Sequence, residues 1–118
     1  MKDWMKEWDG TPYPEMLRNL PEVDIPFEGI RAWLLQDAAT QAVFFDIGSG
    51  SEVPSHCHCA QWGMVIEGEM ELTIGGDKRT YAKGDWYYIP EGVEHGATFK
   101  SRVFVLDVFD DPGRYKAK

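Results

Sequence analysis

The chain is short of cysteine, of histidine and of positive charge, and each shortage removes a class of protein. It holds two cysteines, Cys57 and Cys59. They stand too close together to close a loop worth constraining, so a structural disulfide is not expected. Lys and Arg number 12 against 20 Asp and Glu, a net charge of −8. Without a basic stripe to neutralise phosphates, neither nucleic acid nor an anionic membrane surface is expected as a partner. No apolar run approaches the roughly 20 residues of a membrane helix. The opening Met1-Lys2-Asp3-Trp4-Met5-Lys6-Glu7-Trp8 lacks the apolar stretch of a signal peptide, so the expected location is the cytoplasm.

What is present reads as one globular domain. The 118 residues are 43% hydrophobic and 14% aromatic, enough for a single core. Residues 1–26 form a distinct arm with Pro12, Pro14, Pro21 and Pro26 among Trp4, Trp8 and Tyr13. Proline at that density forbids a long helix or a central strand, but leaves room for one helical turn after Pro14 with Met16, Leu17 and Leu20. The arm either packs its aromatics on the outside of its own domain or crosses to a partner subunit.

Residues 27–118 read as short strands with Gly and Pro punctuation. The expected strands are 30–36, 41–47, 61–66, 70–74, 85–89 and 102–109. Gly75-Gly76 marks a tight hairpin. No segment in this region keeps a helical period. Many short strands with such turns indicate an all-β sandwich or barrel.

One segment carries chemistry: Gly50-Ser51-Glu52-Val53-Pro54-Ser55-His56-Cys57-His58-Cys59-Ala60-Gln61. In extended backbone, His56 and His58 point to one face and the two cysteines to the other. Paired imidazoles make one edge of a metal site, and the cysteines are expected to pack among outer-face apolar groups. The third and last histidine, His95, lies in Gly84-Asp85-Trp86-Tyr87-Tyr88-Ile89-Pro90-Glu91-Gly92-Val93-Glu94-His95. Three histidines confined to two segments suit a shared ion better than scatter does.

These two segments resemble the motifs of the cupin superfamily. The first family motif, G-x5-H-x-H-x3or4-E-x6-G, reads here Gly50-x5-His56-x-His58-x2-Gln61-x6-Gly68. The second, G-x5-P-x-G-x2-H-x3-N, reads Gly84-x5-Pro90-x-Gly92-x2-His95-x3-Phe99. Gln61 stands for the usual Glu, the spacing before it is one residue short, and Phe99 replaces the closing Asn. The resemblance implies a jelly-roll-like β-barrel of two antiparallel sheets. It also implies one divalent metal ion (Zn, Ni, Fe or Mn) held by His56, His58, Gln61 and His95, and assembly as a homodimer. Gln61 could instead serve as a strand-start amide bonded to backbone. As a ligand, a neutral amide beside three neutral imidazoles leaves the ion's charge uncompensated, which favours an anionic or oxygen-rich substrate.

The last strand adds Asp107. Period two places it with Val103, Val105 and Phe109 on one face, where a buried carboxylate needs a partner or a job. In a lumen it could act as general acid or base; otherwise it could bond a turn at the strand end. The run Val105-Leu106-Asp107-Val108-Phe109, followed by Pro112 and Arg114, is similar to the tail of small single-domain cupins that open unsaturated uronates in pectin and alginate breakdown. That resemblance implies substrate-site roles for Asp107, Phe109 and Arg114, and a small-molecule uronate opened to its linear keto form. A cupin dioxygenase using Fe or Ni and a non-catalytic ligand-binding cupin are the alternatives. Trp62, Trp86, Tyr87 and Tyr88 could wall a sugar site, with outer-face packing favoured for Trp62. Arg31 and Arg102 read as surface salt-bridge formers.

Overall fold

Alternation of side chains sets the architecture. In the computed structural model, which describes residues 10–118, Gln41–Ile47 buries every second residue and half-exposes the others. That is a strand with one face on a core. Nine strands follow in chain order: β1 (Ile30–Gln36), β2 (Gln41–Ile47), β3 (Glu52–His56), β4 (Gln61–Glu67), β5 (Glu69–Ile74), β6 (Asp77–Ala82), β7 (Trp86–Ile89), β8 (His95–Thr98) and β9 (Val103–Phe109). They form a five-stranded sheet, β1-β2-β9-β4-β7, and a four-stranded sheet, β3-β8-β5-β6. Every pairing is antiparallel, as expected of the barrel. Val43, Phe45, Val65 and Val105 from one sheet pack with Met70, Leu72 and Phe99 from the other side in one interior cluster.

Three strands escape the sequence reading. β6 is exposed over most of its length, so it shows no alternation. β8 has only four residues, and Pro54 interrupts the pattern of β3. β7 and β9 each begin one residue later than expected. The Gly75-Gly76 signal is realised: both glycines have positive φ, +55° and +85°, and Ile74 pairs with Asp77 across them, as a tight hairpin requires. At Gly68, φ is +92° and an added Cβ would lie 2.4 Å from the Arg102 carbonyl oxygen, so the β4–β5 turn has no room for a side chain.

The arm lies on the outer face of the five-stranded sheet from Tyr13 to Leu20 and then turns in, so that Val23 and Ile25 join the interior cluster. Tyr13 is buried on that outer face, edge-on to Trp33, Phe44 and Phe104. Its hydroxyl donates to the Phe45 carbonyl at 2.6 Å. One helical turn, α1 (Glu15–Arg18), follows Pro14, and Leu17 and Leu20 join the Tyr13 cluster. The expectations for Trp4 and Trp8 lie outside the described residues. The other half of this outer face carries Leu35, Ala42, Val108, Trp62 and Tyr88 in one cross-strand row, and Leu106, Met64 and Trp86 in the next.

Two placements differ from expectation. Cys57 is exposed, and Cys59 packs against the interior cluster rather than on the outer face. The strand ends at His56, so the alternation that would have turned both cysteines outward stops before it reaches them. Of the aromatics that could wall a sugar site, only Tyr87 points inward and is buried, whereas Trp86 and Tyr88 beside it are exposed; the alternation of β7 turns those two away from the interior.

Candidate metal centre and cavity

The three histidines come together by strand pairing. His56 ends β3, His95 begins β8, and the two are register partners, with ring centroids 4.4 Å apart. His58 lies two residues past the strand. Its carbonyl accepts the Gly92 N–H at 3.0 Å, which ties the loop carrying it to the turn that precedes His95. Gly92 has φ +77°, so this turn depends on glycine. The ligand atoms of the three rings all lie within 4.8 Å of one another.

Backbone carbonyls fix the tautomers. Nδ1 of His56 faces the Pro54 oxygen at 3.0 Å, Nδ1 of His58 faces the Cys59 oxygen at 2.7 Å, and Nδ1 of His95 faces the Val93 oxygen at 2.9 Å. A carbonyl only accepts, so each Nδ1 carries the proton and each neutral ring turns a bare Nε2 outward. The Nε2 atoms of His58 and His95 stand 3.1 Å apart. With no proton between them, two lone pairs face each other. A cation resolves this, since metal–nitrogen bonds of about 2.1 Å let one ion reach both. Burial lowers the pKa of His58 to about 4 and that of His95 in the same direction, so both rings are free of extra protons near neutrality.

Gln61, at the start of β4, is buried. Its Nε2 donates to Asp107 Oδ1 at 3.1 Å, not to backbone, and its Oε1 is buried with no hydrogen-bond partner among the described residues. An orphaned amide oxygen in a cavity shared with three bare imidazole nitrogens fits an oxygen ligand to a divalent ion. Asp107 is buried on β9. It accepts from Gln61 and, at 2.6 Å, from the Tyr87 hydroxyl. Burial raises its pKa to about 6 against the lowering effect of both hydrogen bonds. Burial also pushes the Tyr87 hydroxyl well above its ordinary value.

Arg114 completes the wall. Its guanidinium lies over the rings of Tyr115, at 4.3 Å, and Phe109, at 5.6 Å. Its Nε is buried without a partner, and among the described residues it forms no ion pair. One Nη donates to the Tyr115 hydroxyl at 3.4 Å, and a guanidinium held on aromatic faces with donors left over has the geometry to bind a carboxylate. His56, His58, Gln61, His95, Asp107, Phe109 and Arg114 all line one cavity of about 470 Å³. The remaining wall is largely apolar, with Ile25, Phe27, Ile47, Val53, Leu72 and Phe99. By contrast, Arg31 pairs with Glu22 and Arg102 with Asp46 on the surface.

Sequence reasoning offered Tyr87 as a possible sugar-wall residue but not as a hydrogen-bond donor to Asp107, and it missed two further contributors. Gly63 gives no sequence signal of its own. Gln41 looks like an ordinary strand-end polar residue, yet it is fully buried. Its amide nitrogen lies 2.9 Å from the carbonyls of Pro112 and Tyr115, and its oxygen accepts the Tyr115 N–H at 3.1 Å. It thereby holds the segment that carries Arg114. A polar residue at an inward position of β2 was the available clue.

Comparison with known proteins agrees with this architecture. A family model described as "Cupin domain" matches residues 43–109. An RmlC-like cupin of Shewanella frigidimarina is 27% identical, with a TM-score of 0.72, the match covering 80% of this chain and 86% of that one. KdgF of Halomonas sp. is 26% identical, with a TM-score of 0.69 over 76% of this chain and 86% of that one. The salicylate 1,2-dioxygenase of Pseudoaminobacter salicylatoxidans, 16% identical, shares the fold over 80% of this chain and 30% of its own, with a TM-score of 0.68. Among curated proteins no match was found.

Proposed function

Since the chain belongs to the cupin domain family, we propose that it is a metal-dependent isomerase that opens an unsaturated uronate to its linear keto form. One observation carries the reading. The three-histidine cluster, the buried Gln61 oxygen, the Asp107 carboxylate and Arg114, which has no ion pair among the described residues, all line the same cavity. His56, His58, His95 and Gln61 would hold the ion, which when bound supplies Lewis acidity toward a substrate oxygen. Arg114 pairs with the uronate carboxylate, and Phe109 buttresses it. Asp107 takes the proton of the anomeric hydroxyl. As the bond from the anomeric carbon to the ring oxygen breaks, the released enol ketonises, and the proton is returned at the alkene carbon. The step is an isomerisation, balanced without water or oxidant. A carboxyl with a pKa of about 6 suits both halves of that transfer near neutral pH,. Incubating metal-loaded protein with unsaturated galacturonate or mannuronate should abolish the absorbance of the ring alkene. Asp107→Asn should slow that loss at least 100-fold; an unchanged rate would remove Asp107 from the chemistry.

The apolar remainder of the cavity favours a second reading, an Fe- or Ni-dependent dioxygenase for an aryl or diketone substrate. Oxygen uptake with such compounds, absent with uronates, would select it. Assembly as a homodimer belongs to the same proposal. The half-face bearing Leu35, Trp62, Trp86 and Tyr88 carries no charge in a chain of net −8. Its exposed apolar area is on the order of 500 Å², approaching the roughly 800 Å² per partner of a stable interface. A sedimenting mass of twice 13.5 kDa is expected, reduced to that of one chain by Trp86→Glu; a wild-type monomer would refute the dimer.

A further inference from the structure

Asp107, Gly63 and Tyr87 occupy one cross-strand row. Gly63 of β4 is the register partner of Asp107 on β9 and of Tyr87 on β7. Adjacent strands lie about 4.8 Å apart, so the outer two residues of the row are about 10 Å apart. Their side chains can meet only above a residue that has none. A Cβ at position 63 would lie 2.2 Å from Asp107 Oδ1 and 2.2 Å from Tyr87 Cζ. Over this gap the Tyr87 hydroxyl reaches Asp107 Oδ1, the same oxygen that accepts the Gln61 amide.

The consequence falls on Gln61. Its amide has two ends of similar shape, one donating and one accepting, and only the oxygen can serve a cation. The Asp107 oxygen claims the nitrogen end, which leaves Gln61 Oε1 buried and without a hydrogen-bond partner among the described residues. A loose Asp107 would let the amide turn over. We propose that Tyr87, reaching across Gly63, is a positioning residue that locks Asp107 so that Gln61 presents oxygen to the histidine cluster. This rests on the metal-centre reading above, and deepens it by naming what sets the fourth ligand.

The test uses the full chain with Zn²⁺ affinity, measured by competition with a chromophoric chelator, and the visible spectrum of the Co²⁺ form. Tyr87→Phe keeps the ring and removes the hydroxyl. It should weaken Zn²⁺ binding about tenfold, as losses around a metal's ligands do, and shift the Co²⁺ spectrum toward that of Gln61→Ala. The Tyr87→Phe/Gln61→Ala double variant should bind no more weakly than Gln61→Ala alone, because the hydroxyl acts only through the amide. A purely structural role for Tyr87 gives additive losses and leaves the Co²⁺ spectrum alone, and either result overturns the proposal. Wild-type affinity in Tyr87→Phe also overturns it while leaving the metal centre intact. A folded wild-type protein that takes up neither ion removes the metal-centre reading and this inference together.

Discussion

At the residue scale, the site opposes two buried titrations. Folded His58 has a pKa near 4 against an ordinary 6.5, so as pH falls the unfolded chain takes the proton first and the folded state loses stability from about pH 6.5 to about 4. His95 shifts in the same direction. Folded Asp107 has a pKa near 6 against 3.8. Here the folded chain takes the proton first, which offsets the histidines over about pH 6 to 4. Asp107→Asn removes that offset. In chelator, urea unfolding of the variant should show stability falling more steeply than wild type through this window, by up to about 1.4 kcal/mol per pH unit. Equal slopes would mean that Asp107 does not titrate there. Much of this was legible in sequence: the spacing of His56, His58 and His95 named the imidazoles that cluster, and an acid on an inward strand face named Asp107. The partner of Asp107 was not legible, because nothing in Tyr87 itself distinguishes it from Trp86 or Tyr88 without the direction of the strand.

At the element scale, the segment after β9 is tied at its end by a β-bridge between Ala117 and Val23, and Gln41 holds the stretch before it, from Pro112 to Tyr115. Gln41→Leu leaves the carbonyls of Pro112 and Tyr115 without a donor. It should cost about 2–3 kcal/mol in chemical denaturation and open Arg114 to trypsin while Zn²⁺ affinity stays at the wild-type value. Resistance to cleavage would show that the stacking of Arg114 on Tyr115 and Phe109 suffices. Strand boundaries followed the same logic. β2 was readable to the residue because half-burial imposes a period of two on it, and β1 because turn signals bound its run, whose centre, Ala32, Trp33 and Leu34, is buried throughout. β6 was not, because both of its faces meet water and no pattern is imposed.

At the scale of the whole molecule, the centre joins β3 and β8 of one sheet to β4 and β9 of the other, so an ion held there braces the barrel. Divalent metal at 100 times its dissociation constant should add about 2.7 kcal/mol, roughly 10 °C in melting temperature for a domain of this size. Chelator should remove the gain, and identical melting curves with and without Zn²⁺, Ni²⁺, Mn²⁺ or Fe²⁺ would argue against the centre. By itself the sequence determined the strand-rich class, the turns at Gly68 and Gly75-Gly76, and that His56 and His58 belong to one segment and His95 to another, since all of these follow from local backbone preference and order along the chain. Tertiary structure alone decided that, among the described residues, the Gln61 oxygen is left without a partner and Arg114 without an ion pair, and that Gly63 clears the way between Asp107 and Tyr87. Those facts belong to side chains far apart in sequence, and they arise only when strands from distant parts of the chain are laid side by side.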